Sequence, residues 1–274
     1  MTDESDTSDT AYDTIVVDRP AEHVGRITLN RPEKRNAING ALRIELFDAL
    51  HAHDDDADVR VTIVRGAGPC FSSGYDLGSP LWDDKPFWSA DGDGKWARHV
   101  SDGWFGIWDL AKPVIAQVHG YALAGGTELI AACDLAYCAS DAQIGYPVTR
   151  IISPPDMQFH PYFVGLRHAM ELLLTGDSVT GDEAARMGIV NRAYPADELE
   201  AAVLDIAGRV ARTESDLQQI NKRSVHRAMD IMGIRAAIRA GSELQALAGH
   251  QRSVRKRLAD ALGAMKGAVD KPKP

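Results

Sequence analysis

From Val59 to about Val190 the chain repeats one local plan: a short apolar strand, a turn built on glycine, then a helix. VRVTIVR (Val59 to Arg65) runs into Gly66-Ala67-Gly68-Pro69, and VIAQVHG (Val114 to Gly120) runs into a glycine-rich turn that opens the helix TELIAACD. A further strand is predicted from Leu135 to Ala139. Short apolar runs closed by turn residues and followed by helical periodicity define an α/β rhythm, with strands spaced like repeated β-β-α turns.

Upstream, Thr14 to Asp18 and His23 to Leu29 predict a hairpin or paired strands, broken at Arg19-Pro20. Ala41 to His53 predicts an amphipathic helix with Leu42, Leu46, Ala49 and Leu50 on its apolar face. The stretch from Ser79 to Gly106, dense in Gly, Asp and Trp, is expected to be an insertion or lid. From Asp197 onward the pattern is helical, including Glu198 to Arg212 and Leu217 to Met232, and Lys271-Pro-Lys-Pro is expected to fray. The organisation expected is a disordered acidic tail (1–13), a core (14–196) and a helical C-terminal region (197–274).

A formal charge of −9 over 274 residues argues against the basic surface that nucleic-acid binding requires. No apolar run approaches the ~20 residues needed to span a bilayer, and MTDESDTSDT is the opposite of a signal peptide. Cys70, Cys133 and Cys138 are odd in number and unpaired by any metal-type spacing, which predicts a reduced, cytoplasmic setting with no membrane and no metal.

Two strand-to-helix turns carry the chemistry-bearing residues: Phe71-Ser72-Ser73-Gly74-Tyr75-Asp76 and His119-Gly120-Tyr121-Ala122-Leu123-Ala124-Gly125-Gly126-Thr127-Glu128. Small residues admit close backbone approach, and a helix N-terminus leaves N–H groups aimed outward. Two such N–H groups converging on a carbonyl oxygen form an oxyanion hole, worth about 3 kcal/mol per donor in the transition state. Pattern alone is better served by tight structural turns.

Four collinear spans go further: ITLNRPEKRNAI (27–38), FSSGYDL (71–77), KPVIAQVHGYALAGGTELIAACDLAYC (112–138) and ELLLTGDSVTGDEAARMGIVNRAYPADEL (171–199). Together they resemble the crotonase, or enoyl-CoA hydratase/isomerase, family. The resemblance implies an α/β spiral of repeated β-β-α units, a helical C-terminal trimerisation region, and assembly as a homotrimer or hexamer. It implies an acyl-CoA thioester as ligand, with coenzyme A part of the substrate and no separate cofactor. It places the oxyanion N–H groups at Tyr75 and Gly125, an acid/base at Glu128, and contacts to the CoA adenine and pantetheine at Arg35, Ala37, Ser73 and Asp76. Ala124 stands where hydratases of the family often carry a third glycine.

The second glutamate of the family's hydratases is absent: the GxPE segment reads Gly145-Tyr146-Pro147-Val148, followed by the altered stretch TRIISPPDMQFHPYFVG. Glu128 acting alone, replacement by Asp156 or His160, and a different reaction on the same scaffold (isomerisation, C–C hydrolysis or decarboxylation) all remain open, as does a silent acyl-CoA-binding protein. Hydration of a 2-enoyl-CoA leads. Arg150 serves either a substrate carboxylate or a neighbouring acid. Trp82, Phe87, Trp88, Trp96, Trp104, Phe105 and Trp108 serve either an acyl pocket or ordinary packing. His119, Tyr121 and Cys133 read as packing residues. Arg252, Arg255, Lys256 and Arg257 read as a solvated helix face more readily than as a CoA phosphate site.

Overall fold

The computed structural model describes residues 12–78, 95–151 and 154–269. Strands β1 (Ile15–Ala21) and β2 (Val24–Leu29) form the expected antiparallel pair. The predicted break at Arg19-Pro20 does not occur: β1 continues through both residues, with an irregular register between Asp18 and Ala21. It is the edge strand of its sheet, so the N–H that Pro20 lacks is not needed by a neighbour.

Helix α1 (Gly40–Asp55) starts at Asn39, whose side chain accepts the Leu42 N–H at 2.9 Å, and it buries Leu42, Leu46, Ala49 and Leu50 as expected. Beyond it, β3 (Val61–Gly66), α2 (Lys95–Asp109), β4 (Val114–Val118), β5 (Tyr121–Leu123), α3 (Gly125–Ala132), β6 (Leu135–Ala139) and β7 (Gln143–Gly145) follow in turn. After β7 come α4 (His160–Phe163), α5 (Gly165–Thr175), β8 (Ser178–Thr180), α6 (Gly181–Met187) and β9 (Arg192–Tyr194). One sheet has the order β1-β2-β3-β4-β6-β9, parallel from β2 onward, and a second has the order β5-β7-β8. The chain therefore visits the large sheet, the small sheet and a helix in succession, which is the β-β-α spiral. Strands β3 and β4 are covered on both faces, so Val61, Ile63, Val64, Val114, Ile115 and Val118 are all buried.

The stretch read as a lid divides in two. Residues 79–94, with Trp82, Phe87 and Trp88, lie outside the described residues. Residues 95–106 belong instead to α2, which buries Val100, Trp104, Phe105, Ile107 and Trp108 in the core. Their i, i+4, i+7 spacing is helical, but the surrounding Gly and Asp residues masked it. Core aromatics of this kind contribute about 3–5 kcal/mol each against truncation to alanine.

Helix α7 (Leu199–Ala211) lies across the large sheet and buries Leu199, Val203, Ile206 and Ala207. Helices α8 (Ser215–Ile231), α9 (Ile234–Gly249) and α10 (Arg252–Val269) complete the helical C-terminal region. Just past the C-terminal end of α3, Asp134 is held by the Val114 N–H at 2.8 Å and the Lys222 ammonium at 2.9 Å, and His226 Nε2 lies 3.2 Å from its other oxygen. Lys222 also donates to the carbonyls of Ile107 and Lys112, and His226 stacks on Trp108. This knot ties the C-terminal helices to the sheet. Among the described residues no helix is long and apolar enough to cross a membrane. The three cysteines are buried and make no disulfide.

Candidate active site

The two glycine turns lie side by side. Phe71 N–H donates to His119 O, Ser72 N–H to Tyr121 O, and Leu123 N–H back to Ser72 O at 3.0 Å. Gly74 has a φ of 97°, and a Cβ there would lie 2.7 Å from Leu123 O and 3.2 Å from Gly125 N, so only glycine allows the approach. Ile38 N–H donates to Gly74 O and accepts Asp76 N–H on its own carbonyl. That pairing directs the Tyr75 N–H to the opposite edge. Ala124 precedes α3 with a φ of 49°, in the region that favours glycine. Gly125 is the first residue of α3, so its N–H has no partner within the helix.

One turn into α3, Glu128 is fully buried and receives four donors: Tyr75 O–H at 2.6 Å, Tyr146 O–H at 3.0 Å, Asp156 N–H at 3.1 Å and Met157 N–H at 3.4 Å. All four are neutral. Burial pushes its carboxyl up, and the hydrogen bonds from Tyr75, Tyr146 and the two backbone amides only partly offset this. The Tyr75 side chain is therefore part of the site, not merely the carrier of an N–H. Its ring lies over Gly125, where a Cβ would come 2.8 Å from Cε2, and its hydroxyl accepts the Trp104 indole N–H at 2.9 Å.

The loop that lacks the second glutamate supplies a different acid. Val148 falls in a short 3-10 turn, Pro147–Arg150, while Tyr146 and Asp156 on either side of it reach the carboxylate. Asp156 is buried, and its Oδ1 has no hydrogen-bond partner among the described residues. Its carboxyl is pushed well up by burial and by the Glu128 charge, with Arg43 opposing. Glu128 collects the donors and Asp156 Oδ1 has none, which favours the charge on Glu128 over Asp156. Tyr146 could have been read from the sequence only as a residue beside a missing motif. His160 does not join the pair: its Nδ1 bonds Gln158 at 2.9 Å, its ring stacks on Phe159, and burial lowers its pKa to about 4.

Of the residues matched to CoA contacts, Arg35 is exposed in a left-handed turn and its carbonyl accepts Ser73 N–H at 3.0 Å. Ala37 O accepts from the Arg31 guanidinium, which also holds Asp76 at 3.0 Å. Asp76 is thus a tie between loops, a partner that motif matching did not identify. Asn36, fully buried, fastens the same loop through Ala67 O and Cys70 O. Arg150 pairs with Asp177, Lys256 with Asp260, and Arg257 with the Arg150 carbonyl. Trp104, Phe105 and Trp108 pack in the core, with Trp104 alone extending a polar atom to Tyr75.

A β-β-α spiral with two apposed glycine turns and a buried carboxyl at the head of α3 is the crotonase-type architecture. The chain belongs to the enoyl-CoA hydratase/isomerase family, whose model matches residues 19–262. It is 33% identical over 224 residues to the crotonyl-CoA hydratase of Syntrophomonas wolfei, covering 80% of this chain and 84% of that protein. It is 34% identical over 245 residues to the mitochondrial Delta(3,5)-Delta(2,4)-dienoyl-CoA isomerase of Rattus norvegicus, covering 82% and 75%. The crystal structure of an enoyl-CoA hydratase from Mycobacterium smegmatis superposes with a TM-score of 0.83 at 29% identity, covering 92% of this chain and 89% of that one. A hydratase and an isomerase are equally similar, so similarity does not choose the reaction.

Proposed function

We propose that the chain hydrates a 2-enoyl-CoA, with Glu128 and Asp156 in the place of the two glutamates of the hydratases it resembles. The observation that carries this reading is a pair of buried carboxyls, both pushed up by burial, beside two turns whose N–H groups suit a thioester oxygen. In this reading Tyr75 N–H and Gly125 N–H hold the oxygen as the enolate charge develops. Water adds at Cβ, and the pair takes a proton from the water and returns one to Cα, ending as it began. Arg35, Ala37, Ser73 and Asp76 line the approach of the CoA moiety. Assembly as trimers or paired trimers would cover the exposed Leu217, Ile220 and Val225 of α8. A cytoplasmic setting accords with three buried thiols and no disulfide.

A second reading, isomerisation, is favoured by the crowding of Glu128. Four donors already occupy its oxygens, and moving a proton between two carbons requires no bound water. Mixing the protein with 2-enoyl and 3-enoyl esters of CoA separates the two. Loss of conjugated-thioester absorbance with a 3-hydroxyacyl product supports hydration. Gain of that absorbance from 3-enoyl esters alone assigns isomerisation, and no change with either refutes both.

A further inference from the structure

The Tyr75 side chain stands between the proposed oxyanion turn and the acid. Its ring covers Gly125, and its hydroxyl closes the Oε2 face of Glu128 at 2.6 Å. The other carboxylate oxygen is enclosed by Tyr146 and the amides of Asp156 and Met157. A thioester held at the Gly125 N–H therefore meets the phenol before it meets the carboxylate. The Trp104 indole N–H, donating to Tyr75 Oη at 2.9 Å, aligns the phenol's own proton with Glu128.

We infer that the Tyr75 hydroxyl, and not the Glu128 carboxylate itself, is the group that exchanges a proton with the substrate Cα, with Glu128 behind it as the proton's reservoir. The inference rests on the reading above that the thioester oxygen lies at Tyr75 and Gly125. In the deprotonation direction the Cα–H bond breaks and its proton passes to Tyr75 Oη as the phenol's own proton passes to Glu128 Oε2. The electron pair left at Cα moves into the thioester as an enolate. In the other direction Cα takes the phenol proton and Glu128 refills the phenol. Burial holds the phenol neutral, so the two transfers are concerted.

The test is exchange of the Cα hydrogens of a saturated acyl-CoA with deuterium oxide, which requires neither hydration nor isomerisation. The wild type is expected to exchange, and Tyr75→Phe to exchange at least about 100-fold more slowly, with affinity for the ester retained. Glu128→Gln is expected to match it, and the double variant to lose no more than either single one, because residues acting as a unit are not additive. A residue that merely packs would give additive losses. Incorporation of 3-fluorotyrosine at position 75 keeps the shape and makes the phenol more acidic, so it is expected to change the exchange rate at constant pH without changing affinity for the ester. Wild-type exchange in Tyr75→Phe, or an unchanged exchange rate in the fluorinated protein, overturns the relay and leaves the proposed function standing. Absence of exchange in the wild type overturns the relay, while the enoyl-ester assay decides the proposed function on its own.

Discussion

Helix α3 has a carboxylate at each end, Glu128 fully buried and Asp134 partly so, and the two are treated in opposite ways. Past its C-terminal end, Asp134 has a lysine at 2.9 Å, a histidine at 3.2 Å and a backbone N–H. In its first turn, Glu128 has four neutral donors and a second carboxyl, Asp156, as its neighbour. A carboxylate matched with a lysine, a histidine and a backbone N–H serves to hold segments together. A carboxylate given only neutral donors, beside another acid, stays close in energy to its protonated form. The first arrangement is suited to cohesion and the second to proton transfer.

The largest expected effect is at the Glu128 end. Glu128→Gln should lower turnover of a responsive enoyl-CoA by about 10²–10⁴ while leaving the ester bound, as steady-state kinetics and equilibrium binding would show. Unchanged turnover would erase the distinction between the two ends. Next, Asp134→Ala strands the buried Lys222 and should destabilise the fold by about 3–5 kcal/mol in chemical denaturation. A loss within ~0.5 kcal/mol would show that the knot holds nothing.

A smaller effect sharpens the contrast. The Asp156 carboxyl is raised on folding, so the stability it contributes is present below the unfolded value of ~4 and is lost as pH rises through the raised value. Asparagine does not titrate. Asp156→Asn should therefore gain stability relative to the wild type as pH rises from about 5 to 9, and a pH-independent difference would argue against a raised Asp156. Smaller again is the contribution of His53 and His160, each lowered to about 4 by burial. Their stabilisation is complete above ~6.5 and is lost as pH falls through about 4. Melting temperature should fall from pH 7 to pH 5, and less steeply in His53→Asn.

The parts of the molecule that depend on local pattern were legible. The glycine turns, the α1 face and strands β1 to β4 and β6 follow from periodicity and short motifs, and Glu128 from the family resemblance. The edge strand ran through Pro20 because an edge has no ladder bond to lose there, which sequence does not reveal. The helix α2 was hidden by the Gly and Asp residues around its apolar stripe. Tyr75 was legible as a backbone donor, but its hydroxyl meets Glu128 across 53 positions of chain, and no spacing rule spans that separation. Asp156 was one of two candidates in the altered loop. Only the packing of that loop showed that its amide turns toward Glu128 while His160 turns to Gln158.

The most direct test of the contrast is infrared difference spectroscopy of the carboxyl groups at pH 7, wild type against Asp156→Asn. A protonated-carboxyl band present in the wild type and absent from the variant is the predicted result. Its absence from the wild type would mean that both acids are ionised, and that the head of α3 holds charge in the same way as its other end.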